Sequence, residues 1–444
     1  MTDFDRRSLL RTVLLGAGLG TAGRLPFVDR SGESASRQLI RPVENPTQLI
    51  FDGSGWTALT SGPVERTPAL TRAWFRSMVR CGRRTIFVSG TGSDGNSGTE
   101  TAPLREINTA ITHAEPGDLI LVDSGEYGYT EVQNFHGSAD RWLGIMTRDP
   151  SVTARIHVPA PTDNFVNIVS SSFVGLYGFF VQGEQSNRNT NCSGISVHGN
   201  SHHLAIWSNQ ISDFPGGGIN CFDVDGSHDL MDISFNTVHG TSKYSPNNTS
   251  GISVFASRDL TGGETFADGF GYHLVGNYIY DVECTVPFTP GGFDVVTDGN
   301  GISLDRITAE HHYGKPILTA DNIVTGCGGR GILAHQTGSV VMTRNTSIGN
   351  LRTQSPAISG GAELEGTTDH TVQMIDNVIF PINTPATVDS RSTFLGNTFL
   401  AGGGPVPLTN RDERGLGFGY FAGPVSEAAL RAPMARGTFS PRWR

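Results

Sequence analysis

Apolar residues in the middle of the chain come in short runs separated by turn residues, and two marks recur in step with them. Gly-Ile opens a run at Gly194-Ile195, Gly218-Ile219, Gly251-Ile252, Gly301-Ile302 and Gly331-Ile332, and Gly361-Ala362 takes the matching place once more. One Asn follows each start, at Asn209, Asn236, Asn277, Asn322, Asn345 and Asn377, with a last copy at Asn397. A fixed order of short strands and turn residues marks a stacked repeat, in which no single unit buries its own apolar face. Gly and Asn suit sharp turns because both tolerate left-handed backbone angles. Asn side chains stacked about 4.8 Å apart also form a hydrogen-bonded ladder. The pattern predicts an all-β, single-stranded right-handed parallel β-helix.

Asn spacing gives the coil length. Asn377 to Asn397 is 20 residues and Asn322 to Asn345 is 23, whereas Asn236 to Asn277 is 41 and Asn277 to Asn322 is 45. The long spacings predict inserted loops at about residues 240–250, 257–272, 284–300 and 308–316. Inserted loops on a rigid scaffold are where binding groups gather. Alternation along each strand assigns the faces. With Ile302 and Leu304 inward, Ser303 and Asp305 point out, as do Leu333 and His335, and Glu363 and Glu365 take the same places on the next coil. One outer column is then expected to read His198, Phe222, Phe255, Asp305, His335, Glu365.

Upstream, Leu104, Ile107, Ala110, Ile111 and Ala114 have helical spacing and predict a helix that caps the open end of the first coil. Leu119–Val122 reads as a buried strand, and a second helix is expected near Pro68–Val79. The block Thr85–Tyr127 sets a strand, a Gly/Asn/Asp loop, the capping helix and a Pro-Gly-Asp turn in that order. It resembles the opening segment of secreted pectate-lyase-like β-helix proteins, and the resemblance spans roughly residues 85–400. It implies the fold. It does not choose among the lyases, hydrolases, epimerases and adhesins that share the scaffold.

Residues 1–25 carry Arg6-Arg7-Ser8-Leu9-Leu10 and then a Gly-rich apolar stretch, which resembles a bacterial twin-arginine export signal. The expected organisation is this segment, a linker or extension over 26–80, the β-helix over 81–400 and a C-terminal cap and tail over 401–444. That address implies a periplasmic or extracellular protein. No segment is expected to span a membrane. The formal net charge of -10 and the lack of a basic cluster in the body argue against nucleic acid as a partner. Five Cys with no paired spacing, at 81, 192, 221, 284 and 327, read as buried free thiols, with one disulfide left open.

The expected chemistry follows the outer column. Exposed aromatics stack on sugar rings, and carboxylates with a His supply acid and base, so a polysaccharide is the expected partner. Asp305 and Glu365, two coils apart, would sit about 9.6 Å from each other, close to the separation in inverting glycosidases. His335 between two carboxylates would favour its charged form. A lyase reading instead needs a base and a cation. Here His335, Lys243 or Tyr244 is the expected base, and Arg306, Arg330, Lys315 or a Ca²⁺ ion the expected cation. Glu363, Phe222, Phe255, His198, Lys243 and Tyr244 are expected to touch substrate. Asp223, Asp225, Asp294 and Asp298 are oxygen-rich candidates for Ca²⁺. Among proteins of the resembled fold, calcium-dependent lyases add a catalytic Lys on a stacked coil, and polygalacturonase-type hydrolases carry Asp pairs with Gly-His and Arg-x-Lys. This chain matches neither set in full. His202-His203 and His311-His312 offer at most one metal ligand per strand face, by alternation. A non-catalytic carbohydrate-binding or structural surface protein is the competing reading.

Overall fold

The computed structural model describes residues 68–381, apart from 150–153, 159–163, 186–190, 223–227, 291, 309–312 and 368–371. It also describes short stretches at 48–51, 56–59, 384–387, 393–395, 397–399 and 419–420. The segment expected to be an export signal and most of the expected C-terminal cap and tail lie outside these residues.

Successive coils contribute strands to three parallel sheets. Sheet 1 has eleven strands, from Arg84–Val88 to Thr393–Leu395; sheet 2 has eleven, from Gly125–Tyr127 to Gly419–Tyr420; sheet 3 has nine, from Thr130–Gln133 to Thr384–Thr387. The chain runs through them in that order and climbs one coil per circuit. This is the expected right-handed parallel β-helix. Its interior is one continuous apolar core from Ile86 to Ile379. The Ile107–His113 helix buries Ile107 and Ala110 against the first coils, as a cap must.

The Asn ladder is complete. Each Asn donates from Nδ2 to Oδ1 of the next, from Asn209 to Asn236 (3.1 Å), Asn277 (3.1 Å), Asn322 (3.0 Å), Asn345 (2.9 Å), Asn377 (3.1 Å) and Asn397 (2.8 Å). The same Oδ1 also accepts from the backbone N–H of the preceding Asn, so the turn's orphan donors are satisfied. The left-handed residue at this corner is the one before the Asn: Ser208, Phe235, Gly276, Asp321, Arg344 and Asp376 all have positive φ. Asn is thus kept for its amide, not for its backbone freedom.

The Gly-Ile glycines are likewise selected by space. A Cβ on Gly301 would collide with Val324 and with the Gly331 carbonyl of the next coil. Ile302 therefore pairs with Ile252 and Ile332 in an unbroken interior row. On the following coil the expected register fails. Ile332 pairs with Leu364, Leu333 with Glu365 and His335 with Thr367. Glu363, not Gly361, sits in the glycine row, and the column shifts by two residues.

Two elements close the outer face of sheet 1. The Pro68–Val79 helix lays Phe75 and Val79 over Gly175, where a Cβ would meet both. Phe75 also packs on Tyr177 (ring centroids 5.0 Å) and Trp207 (6.1 Å). Further along, the inserted loop 256–271 sets Phe266 and Phe270 in the same outer cluster as Val275 and Leu318. Each buried aromatic of this kind contributes about 1.5–3 kcal/mol. The other long insertions, 242–251 and 283–301, lead into sheet 3. All five cysteines are free thiols, four of them buried.

Candidate functional site

The outer face of sheet 3 carries the expected column in the order His198, Phe222, Phe255, Asp305, His335, with Thr367 in place of Glu365. Phe222 is exposed and stacks on Phe255, with ring centroids 5.0 Å apart. The Arg306 guanidinium lies over Phe255 at 5.9 Å.

Asp305 and His335 are register partners on adjacent coils, about 4.8 Å apart along the axis. Asp305 Oδ1 is buried without a hydrogen bond among the described residues. Burial pushes its carboxyl up to about 8, Asp298 pushes the same way, and Arg306 opposes. At neutral pH Asp305 is thus a carboxylic acid. His335 moves the other way from the expectation. Burial lowers its pKa, and Arg330 and Arg306 add to that against the carboxylates of Asp298 and Glu365. Its Nδ1 is 2.6 Å from Thr367 Oγ1. An imidazole held toward its neutral form and a carboxyl held toward its protonated form thus occupy neighbouring coils of one column.

The other carboxylates have different work. Glu365 is buried in the neighbouring column and accepts from Arg330 Nε (3.0 Å) and from the backbone N–H of Ala362 (3.0 Å). Arg330 further donates to the carbonyls of Thr297 (3.1 Å) and Ala357 (2.9 Å). This pair ties three loops together, and the two-residue shift places Glu365 in line with Leu333 and Ser303, not with His335 and Asp305. Glu363 was expected to point into solvent. It is fully buried, with Oε1 accepting from Asn350 N (2.9 Å) and Oε2 from Ser347 Oγ (2.8 Å) and Asn350 Nδ2 (2.6 Å).

Lys243 and Tyr244 are half-buried on the loop 242–251 that precedes the strand Ile252–Phe255. Asp298 accepts from Thr297 Oγ1 (2.8 Å) and Asn300 Nδ2 (2.8 Å), and burial raises its pKa. Asp223, Asp225 and His311-His312 lie outside the described residues. Among those described, no three His, Cys, Asp or Glu side chains meet as a metal cluster, and Asp298 is a hydrogen-bonded carboxyl within a turn.

At the upstream end of the same face lies an open cavity of ≈ 230 Å³, ringed by Asn164, Asn191, Asn220 and Asn247 with His198 and Phe222. Asn220 lies in register on the strand Ile219–Phe222, whereas Asn164, Asn191 and Asn247 fall in loops, where the repeat gives no signal.

A second polar cluster, also not foreseen, lies under the loop 256–271 on sheet 1. His273 sits between Asp232 (Nδ1 to Oδ2, 3.0 Å) and Asp268 (Nε2 to Oδ2, 3.0 Å). Trp207 Nε1 donates to Asp232 Oδ1 (2.6 Å). Burial works against charge on His273, but the two carboxylates outweigh it and raise its pKa to about 9. Lys315, expected as a substrate cation, is instead buried between Asp229 (2.6 Å) and Asp259 (3.0 Å). Burial pushes Asp259 up, but the backbone N–H of Gly263 and the Lys315 ammonium hold it down at about 2. Nearby, His203 has positive φ, which breaks strand alternation. His202 and His203 consequently meet, Nδ1 to Nδ1 at 2.7 Å, instead of facing apart.

No protein-family model and no curated protein matches the chain. Among solved structures it resembles pectate lyase Pel9A, with a TM-score of 0.50 and 14% identity over 74% of this chain and 78% of that one. The shared architecture is the parallel β-helix. A rhamnogalacturonan lyase (TM-score 0.44, 15% identity, 70% of this chain and 84% of that one) is also similar. So is an alginate lyase from Paenibacillus sp. str. FPU-7 (0.44, 14%, 76% and 98%). At these identities the likeness to the pectate lyase speaks for the fold alone, and no helix among the described residues is long and apolar enough to cross a membrane.

Proposed function

We propose that this chain is an exported polysaccharide-cleaving enzyme that acts by β-elimination on the open face of sheet 3. One observation carries the reading: Asp305, a carboxyl kept protonated near neutral pH, stands beside His335, an imidazole kept neutral. In the proposed reaction His335 takes the proton from the carbon next to a uronate carboxylate. The glycosidic C–O bond on the adjacent carbon breaks as the new C=C bond forms. Asp305 gives its proton to the leaving oxygen. Arg306, close to Asp305, supplies positive charge for the uronate. The products are an unsaturated uronate and a new sugar hydroxyl, with no water consumed. Hydrolysis has less support, because the second carboxylate it needs is spent on Arg330.

The test incubates the protein with neutral and uronate-containing polysaccharides. It follows both the ultraviolet absorbance of an unsaturated uronate and new reducing ends. Absorbance with reducing ends supports the proposal, and Asp305→Asn and His335→Ala should each lower kcat by roughly 10²–10⁴-fold. Reducing ends alone would mean a hydrolase. Neither signal across the panel would leave a carbohydrate-binding surface protein, a reading that the Asn-ringed cavity favours.

A further inference from the structure

We infer that the cavity around Asn220 is a subsite for an uncharged sugar ring. Its described lining holds carboxamides, a hydroxyl, an imidazole, a thiol and an aromatic ring, and no carboxylate, ammonium or guanidinium. The side-chain amides of Asn220 and Asn247 have no hydrogen-bond partner among the described residues, whereas Asn191 and Asn164 are held by Ser245 Oγ (3.0 Å) and the backbone N–H of Ser193 (2.9 Å). A free carboxamide both donates and accepts, which matches sugar hydroxyls that also do both. A carboxylate only accepts, and its burial here would lack a cation.

The shape agrees with the chemistry. Phe222, the sole large apolar side chain exposed among the described residues at 37%, borders the cavity and is braced from below by Phe255. It offers a flat face to the C–H side of a ring. His198 is fixed across the cavity, with Nδ1 donating to the Phe222 carbonyl (3.1 Å) and Nε2 bonded to Ser196 Oγ (2.7 Å). The site is thus rigid and amide-rich.

Its place along the groove names the substrate class. Phe222, Phe255 and Asp305 are successive members of one column, so the cavity lies about 10 Å from the acid–base pair. A polymer seated along the column places an uncharged residue in the cavity and the uronate at Asp305 and His335. The preferred substrate is then a heteropolysaccharide that mixes neutral and acidic sugars. This last step rests on the elimination reading; the subsite itself does not.

The test measures binding of neutral hexose oligosaccharides (gluco-, galacto- and manno-) and of uronate oligosaccharides to full-length Asp305→Asn protein by calorimetry. At least one neutral oligosaccharide should bind, with little dependence on salt. Phe222→Ala, Asn220→Ala and the loop variant Asn247→Ala should weaken it by roughly tenfold or more, with circular dichroism unchanged. Binding of uronate oligomers alone, no binding of either class, or neutral binding indifferent to all three variants would overturn the subsite. Turnover is not read in this experiment, so a failure of the elimination reading would leave its outcome standing.

Discussion

Burial acts on Asp305 and His335 in one direction: it removes charge from both. The same desolvation that protonates the carboxyl deprotonates the imidazole, so the pair is poised without needing a salt bridge. Activity should therefore have a plateau. It should fall as pH rises through about 8, where Asp305 ionises, and fall at acid pH as His335, held below its ordinary value, takes a proton. A kcat/KM profile on a cleaved polysaccharide checks both limbs, and a single acid limb with no loss above pH 8 would remove Asp305 from the role. The linkage is equally explicit. A carboxyl raised in the fold binds its proton more tightly than in the unfolded chain, so stability falls as pH rises from about 4 toward 8. Asp305→Asn should flatten that slope in chemical denaturation. Arg330 and Glu365 are the opposite kind of pair, charged and mutually satisfied. Arg330→Ala leaves a buried carboxylate and should cost about 3–5 kcal/mol, read as a lower denaturation midpoint.

At the scale of elements, the ladder and the loop carry separate predictions. Removing one rung strands donors on the coil below and a carbonyl on its own corner. Asn277→Ala deprives Asn236 of both its bonds to Oδ1 and removes the side-chain donor to the Ile233 carbonyl. A loss of about 2–4 kcal/mol is expected, whereas Asp376→Asn, at the exposed left-handed position before Asn377, should cost far less. The loop 256–271 is pinned by the charged His273. Its folded pKa is raised to about 9, so its contribution is complete below the ordinary His value and is lost as pH rises through about 9. Limited proteolysis within 258–270 should accelerate over that window, and His273→Gln should make cleavage fast at all pH values. Wild-type cleavage that stays flat to pH 10 would deny the latch. The sequence makes the ladder fully legible, since all seven Asn form it, and the loop lengths follow from their spacing. It hides the latch, because Asp232, Asp268 and His273 come together only when an insertion folds back on sheet 1.

For the whole molecule, periodicity determines what reasoning from sequence reaches. Interior rows repeat, so the coils, the cap and the column from His198 to His335 all follow from one register. The error at Glu363 and Glu365 came from the same logic. Gly361-Ala362 imitates a Gly-Ile start, but Glu363 occupies the glycine row, because Ser347 and Asn350 provide its carboxylate with partners inside the coil. A slip of two preserves the alternation of faces and changes only the coil position, which is why the error is invisible in the pattern. The loop residues of the cavity, Asn164, Asn191 and Asn247, lie outside the repeat, and pKa values depend on burial that no spacing encodes.

The three sheets are parallel throughout, and one flank of the solenoid is sealed by a helix and a loop. Such a body has no twofold axis to make its two ends equivalent. A glycan is also a directional polymer, with one reducing end. The surface of sheet 3 therefore distinguishes head from tail: a chain laid from the cavity toward His335 meets aromatic, acid and base in that sequence, and a reversed chain meets them backwards. Cleavage should consequently release fragments whose neutral residues all lie on the same side of the broken bond.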